Sequence, residues 1–153
     1  MLVESVIISH VAREKEAMEQ ICNLATDALD EIRQVGVFIM NTIEEVSAST
    51  LFDLQKYYRK SWELLMTKQD GNVIGCIMKN LQRGVKEGFY RTDLDKEIVA
   101  KIYAKATYMV VEEISQPASK FSRRQLIWEL HNYHIHGVAT PKGLELGNNI
   151  AGK

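Results

Sequence analysis

The sequence predicts an all-α protein, a bundle of about six helices, and three observations carry that expectation. Apolar residues recur at steps of three and four along nearly all of the 153 residues. The two prolines, Pro117 and Pro141, both fall between such stripes rather than inside them. No stretch reads convincingly as a strand with alternating apolar and polar residues.

The elements follow in order. Val3, Ile7, Val11, Met18, Ile21 and Ala25 mark a first helix of about six turns. Leu29, Ile32, Gly36, Ile39, Ile43 and Val46 form the buried face of a second. Ser47-Ala48-Ser49-Thr50 interrupts it, and a short third helix runs from Leu51 to Tyr58. Asp70-Gly71-Asn72 is a strong turn signal, yet Trp62, Met66, Gln69, Val73, Ile77, Leu81 and Gly84 keep helical phase straight through it. A turn would break that phase, so one long helix is expected from Lys60 to Glu87, with Gly71 and Gly75 costing about 1 kcal/mol each or marking a bend. Gly88 stops this helix by taking the left-handed conformation, Phe89 folds back on the last turn, and Asp95 caps the helix that starts at Lys96.

That next helix carries Ile98, Ile102, Ala106, Met109 and Val110 and ends near Ser115-Gln116-Pro117. Ser122-Arg123-Arg124-Gln125 is a capping-box pattern, with Phe121 and Leu126 spaced as a hydrophobic staple. The last helix is expected to bury Leu126, Ile127, Leu130, Tyr133, His134 and Val138 and to end at Pro141. The body is therefore assigned to residues 1–142, and the glycine- and asparagine-rich residues 143–153 to a loosely ordered tail.

Composition narrows the function. Nineteen basic residues against 20 acidic ones give a formal charge of −1. Gripping nucleic acid needs a basic face. Here Arg59-Lys60, Lys120 and Arg123-Arg124 are interleaved with acids, so no direct nucleic-acid binding is expected. No apolar run is long enough to span a bilayer, and the start of the chain lacks the basic leader of a signal peptide. Cys22 and Cys76 form no CxxC motif and are expected as reduced, buried thiols. A soluble cytoplasmic protein without membrane contact is the expectation.

Catalytic and metal chemistry find little support. His131 and His134 share one side of a helix, while His136 points about 140° away from His131, too few ligands for zinc. His10 and Glu14 are one helical turn apart and read as a polar face. No nucleophile sits in a Gly-x-Ser-x-Gly turn and no glycine-rich loop is built for phosphate. Glu44-Glu45 and Glu112-Glu113 point in different directions. No enzyme, metal or cofactor is expected.

Four stretches carry a resemblance to a known family. They are Glu87-Gly88-Phe89-Tyr90-Arg91-Thr92-Asp93-Leu94-Asp95, Phe52-Asp53-Leu54-Gln55-Lys56-Tyr57-Tyr58-Arg59-Lys60-Ser61-Trp62, Gly137-Val138-Ala139-Thr140-Pro141-Lys142-Gly143-Leu144-Glu145-Leu146 and Leu2-Val3-Glu4-Ser5-Val6. In order and spacing they resemble the C-terminal body of the TetR/AcrR transcriptional regulators. The resemblance implies a ligand-sensing and dimerisation domain, a small effector, and a helix-turn-helix head that these residues do not include. DNA would be reached only through that head.

Side-chain chemistry adds candidate sites to this picture. Met18, Cys22, Phe38, Met40, Trp62, Met66, Tyr103 and Met109 lie on or beside the stripes of four helices and could line an adaptable apolar pocket. No lysine or arginine clearly sits on these stripes, which disfavours a strongly anionic effector. Tyr103, Ala106, Val110, Ile127, Leu130, Tyr133, His134 and Val138 on the last two long helices are the expected homodimer interface. A helical scaffold or adaptor with a solid core is the alternative, and a cavity would separate the two.

Overall fold

The computed structural model describes residues 2–151, which form seven helices and, among these described residues, no strand: α1 (Leu2–Leu24), α2 (Ala28–Glu45), α3 (Ala48–Tyr57), α4 (Arg59–Glu87), α5 (Lys96–Ser115), α6 (Arg123–Val138) and α7 (Pro141–Ala151). Side-chain caps open four of these helices, and two of them, at Asp95 and Ser122, match the expectation. Asp27 accepts from the backbone of Leu29 and Asp30 at the start of α2, Ser47 from Thr50 at α3, and Asp95 from Ile98 at α5. Ser122 and Gln125 complete a reciprocal capping box at α6. Each satisfies amide groups that the first helical turn leaves without a partner. Phe121 remains exposed, so no sealed hydrophobic staple accompanies the box.

The long helix α4 runs unbroken through Asp70-Gly71-Asn72. It packs against α1, α2, α3 and α5, while α6 lies against α2 and α5. A helix with neighbours on several sides gains more from burial than the roughly 1 kcal/mol each glycine costs, so tertiary packing overrides the local turn signal. Ile32 from α2, with Ile77 and Leu81 from α4, forms the middle of the core; Ala100, Tyr103 and Ala104 cover it from α5.

Gly88 ends α4 with φ 79°, and the amides of Phe89 and Tyr90 both donate to the Gly84 carbonyl. The chain then meets the α6–α7 link. Arg91 N donates to Val138 O at 2.9 Å and Thr140 N to Phe89 O at 2.8 Å, a single antiparallel bridge between the two connections.

That junction corrects one expectation. Residues 143–151, expected as a loose tail, are helical, and Pro141 opens α7 instead of closing the body. Proline suits the first helical turn because its missing N–H has no partner to lose there. Leu144 and Leu146 pack against the core, and Gly143 lies so close to the Phe89 carbonyl oxygen that an added Cβ would sit 2.2 Å from it. Residues 152 and 153 of the expected tail lie outside the described residues, as does Met1.

Candidate functional site

A cavity of about 130 Å³ lies where α1, α2, α3, α4 and α5 converge. Its walls are mostly apolar. Met18 comes from α1, Phe38, Ile39 and Ile43 from α2, Leu51 from α3, Leu65, Met66 and Val73 from α4, and Ala104, Val111 and Ile114 from α5. Polar groups enter chiefly from α1, α4 and α5: His10, Glu14, Gln69, Asp70, Thr107 and Tyr108. The Gln69 amide donates to Glu14 Oε2, and His10 Nε2 lies 3.2 Å from Glu14 Oε1. Asp70 accepts from Lys105 at 2.8 Å, whose ammonium approaches from the exposed side of α5. No lysine or arginine lines the cavity.

Of the eight pocket candidates, Met18, Phe38 and Met66 line this cavity. Trp62 is buried without lining it, and Met40 is half-buried on α2 away from it. Met109 is 63% exposed and points outward. Tyr103 is buried edge-on against His134, with ring centroids 4.6 Å apart. Cys22 does not line the cavity. It and Cys76 are both free and half-buried. The neighbouring Cys76 thiol holds the Cys22 pKa below the usual thiol range, and Cys22 raises that of Cys76, which burial raises further.

The cavity residues missed in the sequence had a legible signal on α5. Ala104, Thr107, Tyr108, Val111 and Ile114 follow steps of three, one, three and three along one helical face. The bulkier outer stripe of Ile98, Ile102 and Met109 concealed it. All three of those side chains are exposed.

The expected dimer residues divide differently from the expectation. Tyr103, Val110, Ile127, His134 and Val138 are buried within the single chain, and Leu130 packs against its core. Ala106 is half-buried, and Tyr133 is 81% exposed. The stripe on α6 thus serves mainly the chain's own core.

His131 and His134 both face inward. Burial lowers each pKa to about 4, reinforced by Arg33 at His131 and by His131 at His134. His131 Nδ1 and His134 Nε2 have no hydrogen-bond partner. His131 also lines a groove of about 260 Å³ between α2, α6 and α7, with Arg33, Trp128 and Leu144. His136 is exposed and its Nδ1 is 2.8 Å from the Asn132 carbonyl. Among the described residues no three His, Cys, Asp or Glu side chains are grouped to hold a metal. No helix among them is long and apolar enough to cross a membrane.

No family model matches the chain, and no curated protein matches it. Its structure is similar to that of the ketosteroid transcriptional regulator KstR2 of Mycobacterium tuberculosis, with a TM-score of 0.68 and 14% identity, over 90% of this chain and 71% of that one. KstR2 is a TetR-family regulator. At that identity the likeness speaks for architecture, and the chain has a TetR-like all-α fold.

Proposed function

We propose that this chain is the ligand-sensing and dimerisation body of a TetR-like transcriptional regulator, acting in the cytoplasm on a small, mainly apolar effector. The apolar cavity at the meeting of five helices is the observation that carries this reading. A scaffold that only displays helices to partners has no need of one. The fold likeness to a transcriptional regulator supports the same reading.

In such a regulator DNA is read by a helix-turn-helix head attached ahead of α1. Effector binding would act through α1, because Met18, Glu14 and His10 on that helix all line the cavity. An effector that prefers one placement of α1 shifts the population of body arrangements, and with it the spacing of the heads in a homodimer. The similar structure is named for a ketosteroid. A cavity of about 130 Å³ instead suits an effector of about one ring, since a cavity of roughly 150 Å³ accommodates benzene.

The test is a thermal-shift screen of small apolar and aromatic compounds against the chain and its Met66→Trp variant. Compounds that raise Tm in the parent and lose that effect when the indole fills the cavity support the reading. Stabilisation unchanged by Met66→Trp would place the site elsewhere, and a screen without any stabilising compound would favour the scaffold.

A further inference from the structure

Acidic side chains and one imidazole are the ionisable lining of the cavity, apart from the Tyr108 phenol. Two carboxylates line it, Glu14 from α1 and Asp70 from α4, and no lysine or arginine does. The Glu14 side chain is only 12% exposed. Its partners within the site are the neutral Gln69 amide and the His10 imidazole, whose side chain reaches out to solvent. Asp70 is partnered by Lys105, but that ammonium sits on the exposed face of α5. The lining also includes the aromatic side chains of Phe38 and Tyr108, and the thioethers of Met18 and Met66 stand one helical turn from Glu14 and Asp70 respectively.

A wall of this composition discriminates between ligand charges. An anion would meet two carboxylates with no cation inside the cavity to receive it. A neutral ring would gain burial alone. A cation gains attraction to the carboxylates in a medium of lower dielectric than water, together with the negative faces of the aromatic rings.

Building on the sensor reading above, we propose that the effector is a small lipophilic cation, a single-ring amine or quaternary ammonium. Its charge lies beside Glu14 and Asp70, and its ring lies among Phe38, Met18 and Met66. His10 gives way by swinging outward, since its side chain is already 40% exposed.

An isosteric set separates charge from shape: benzyltrimethylammonium, its uncharged carbon isostere neopentylbenzene, and phenylacetate as the anion. Binding to the intact chain is measured by equilibrium dialysis at physiological salt, with thermal shift in parallel. The cation should bind about tenfold tighter than the neutral isostere, and phenylacetate weakest. Glu14→Gln should abolish most of that preference, read as the ratio of cation to neopentylbenzene affinity, and Glu129→Gln on the exposed face of α6 should alter neither affinity. Circular dichroism checks the fold of each variant, and Asp70→Asn provides the second carboxylate variant should Glu14→Gln fold poorly. Equal binding of cation and isostere overturns the charge assignment and leaves the cavity reading standing. A cation preference that survives both carboxylate variants also overturns the assignment. If none of the three ligands binds, the cation assignment falls, and the sensor reading is decided separately by the broader screen described above.

Discussion

Gly84 lies directly against the ring of Tyr90: a Cβ built on Gly84 would stand 2.0 Å from Tyr90 Cδ2. Only glycine permits that approach, and the ring it admits is one of the largest fully buried side chains, 1% exposed. The Tyr90 hydroxyl donates toward Asn80 Oδ1 at 2.9 Å and the Ala28 carbonyl at 3.2 Å. Asn80 Nδ2 also donates to the Ala28 carbonyl at 2.8 Å. The last turns of α4 are thereby stitched to the first residue of α2.

Gly84→Ala should therefore be among the most destabilising methyl additions in the chain. Overpacking a tight core costs about 1–3 kcal/mol, and here the obstacle is a ring with both ends fixed. Tyr90→Phe should cost less, about 1–2 kcal/mol, because it removes the hydroxyl and leaves Asn80 Oδ1 without its donor. Urea denaturation of both variants measures the order. Gly84→Ala at wild-type stability would show that the ring is free to move.

The Gly84–Tyr90 contact also marks what could be read from the sequence. Gly88 as a helix stop, the caps at Asp95 and Ser122, and α4 crossing Asp70-Gly71-Asn72 were legible because each rests on local spacing or phase. Tyr90 as a buried anchor was not, because its partners at positions 28 and 80 come from other elements. The α7 helix was missed for the same reason. Its glycines and asparagines look like a tail, while Gly143 is small because it rests on the Phe89 carbonyl. Two stretches that resembled the family separately, around Gly88 and around Pro141, prove to touch. In the cavity, methionines and one phenylalanine were legible as soft apolar residues, but the polar members were not, since a helical stripe gives no sign that Glu14 and Gln69 face each other.

A second network should be less forgiving of a single deletion. Glu31 is 3% exposed, and Arg83 bonds it at 2.9 Å while also bonding Glu87 at 2.8 Å and the Ala25 carbonyl at 3.0 Å. Arg83→Ala leaves the Glu31 carboxylate buried without its ion-pair partner, and removing one member of a buried pair costs about 3–5 kcal/mol. The double variant Arg83→Met with Glu31→Leu should recover much of that loss, because no charge is then stranded. Chemical denaturation of the two variants checks the order. A single variant more stable than the double would contradict the network account.

Acid should weaken the fold through the two inward histidines. In the folded chain His131 and His134 hold pKa values of about 4, against 6.5 for the free side chain. Between those values the unfolded chain binds protons that the native chain refuses. The contribution of each histidine is therefore fully present above pH 6.5 and is lost as pH falls toward 4, by up to about 1.4 kcal/mol per pH unit each. Urea midpoints should be flat from pH 8 to 7 and then fall across that window. His134→Gln should reduce the slope by about half, and an unchanged slope would rule out its part in the effect.

The proposed homodimer should use the outer face of α5, not the stripe on α6 that the single chain already buries. Ile98, Ile102 and Met109 stand at steps of four and seven along one side of α5, and all three are exposed. Tyr133, on α6, is exposed as well, and α6 lies beside α5. A two-fold axis that sets α5 and α6 against their copies would cover these residues in a self-complementary interface. Covering it should remove more than about 1,000 Å² from water. Sedimentation at micromolar concentration should give twice the chain mass of 17.5 kDa. Ile102→Asp should produce a folded monomer, because its side chain projects from the outer surface. Leu130→Asp should instead lower stability, since Leu130 packs against the chain's own core. A wild-type monomer in that experiment would remove the dimer, and an Ile102→Asp dimer would move its interface off this face.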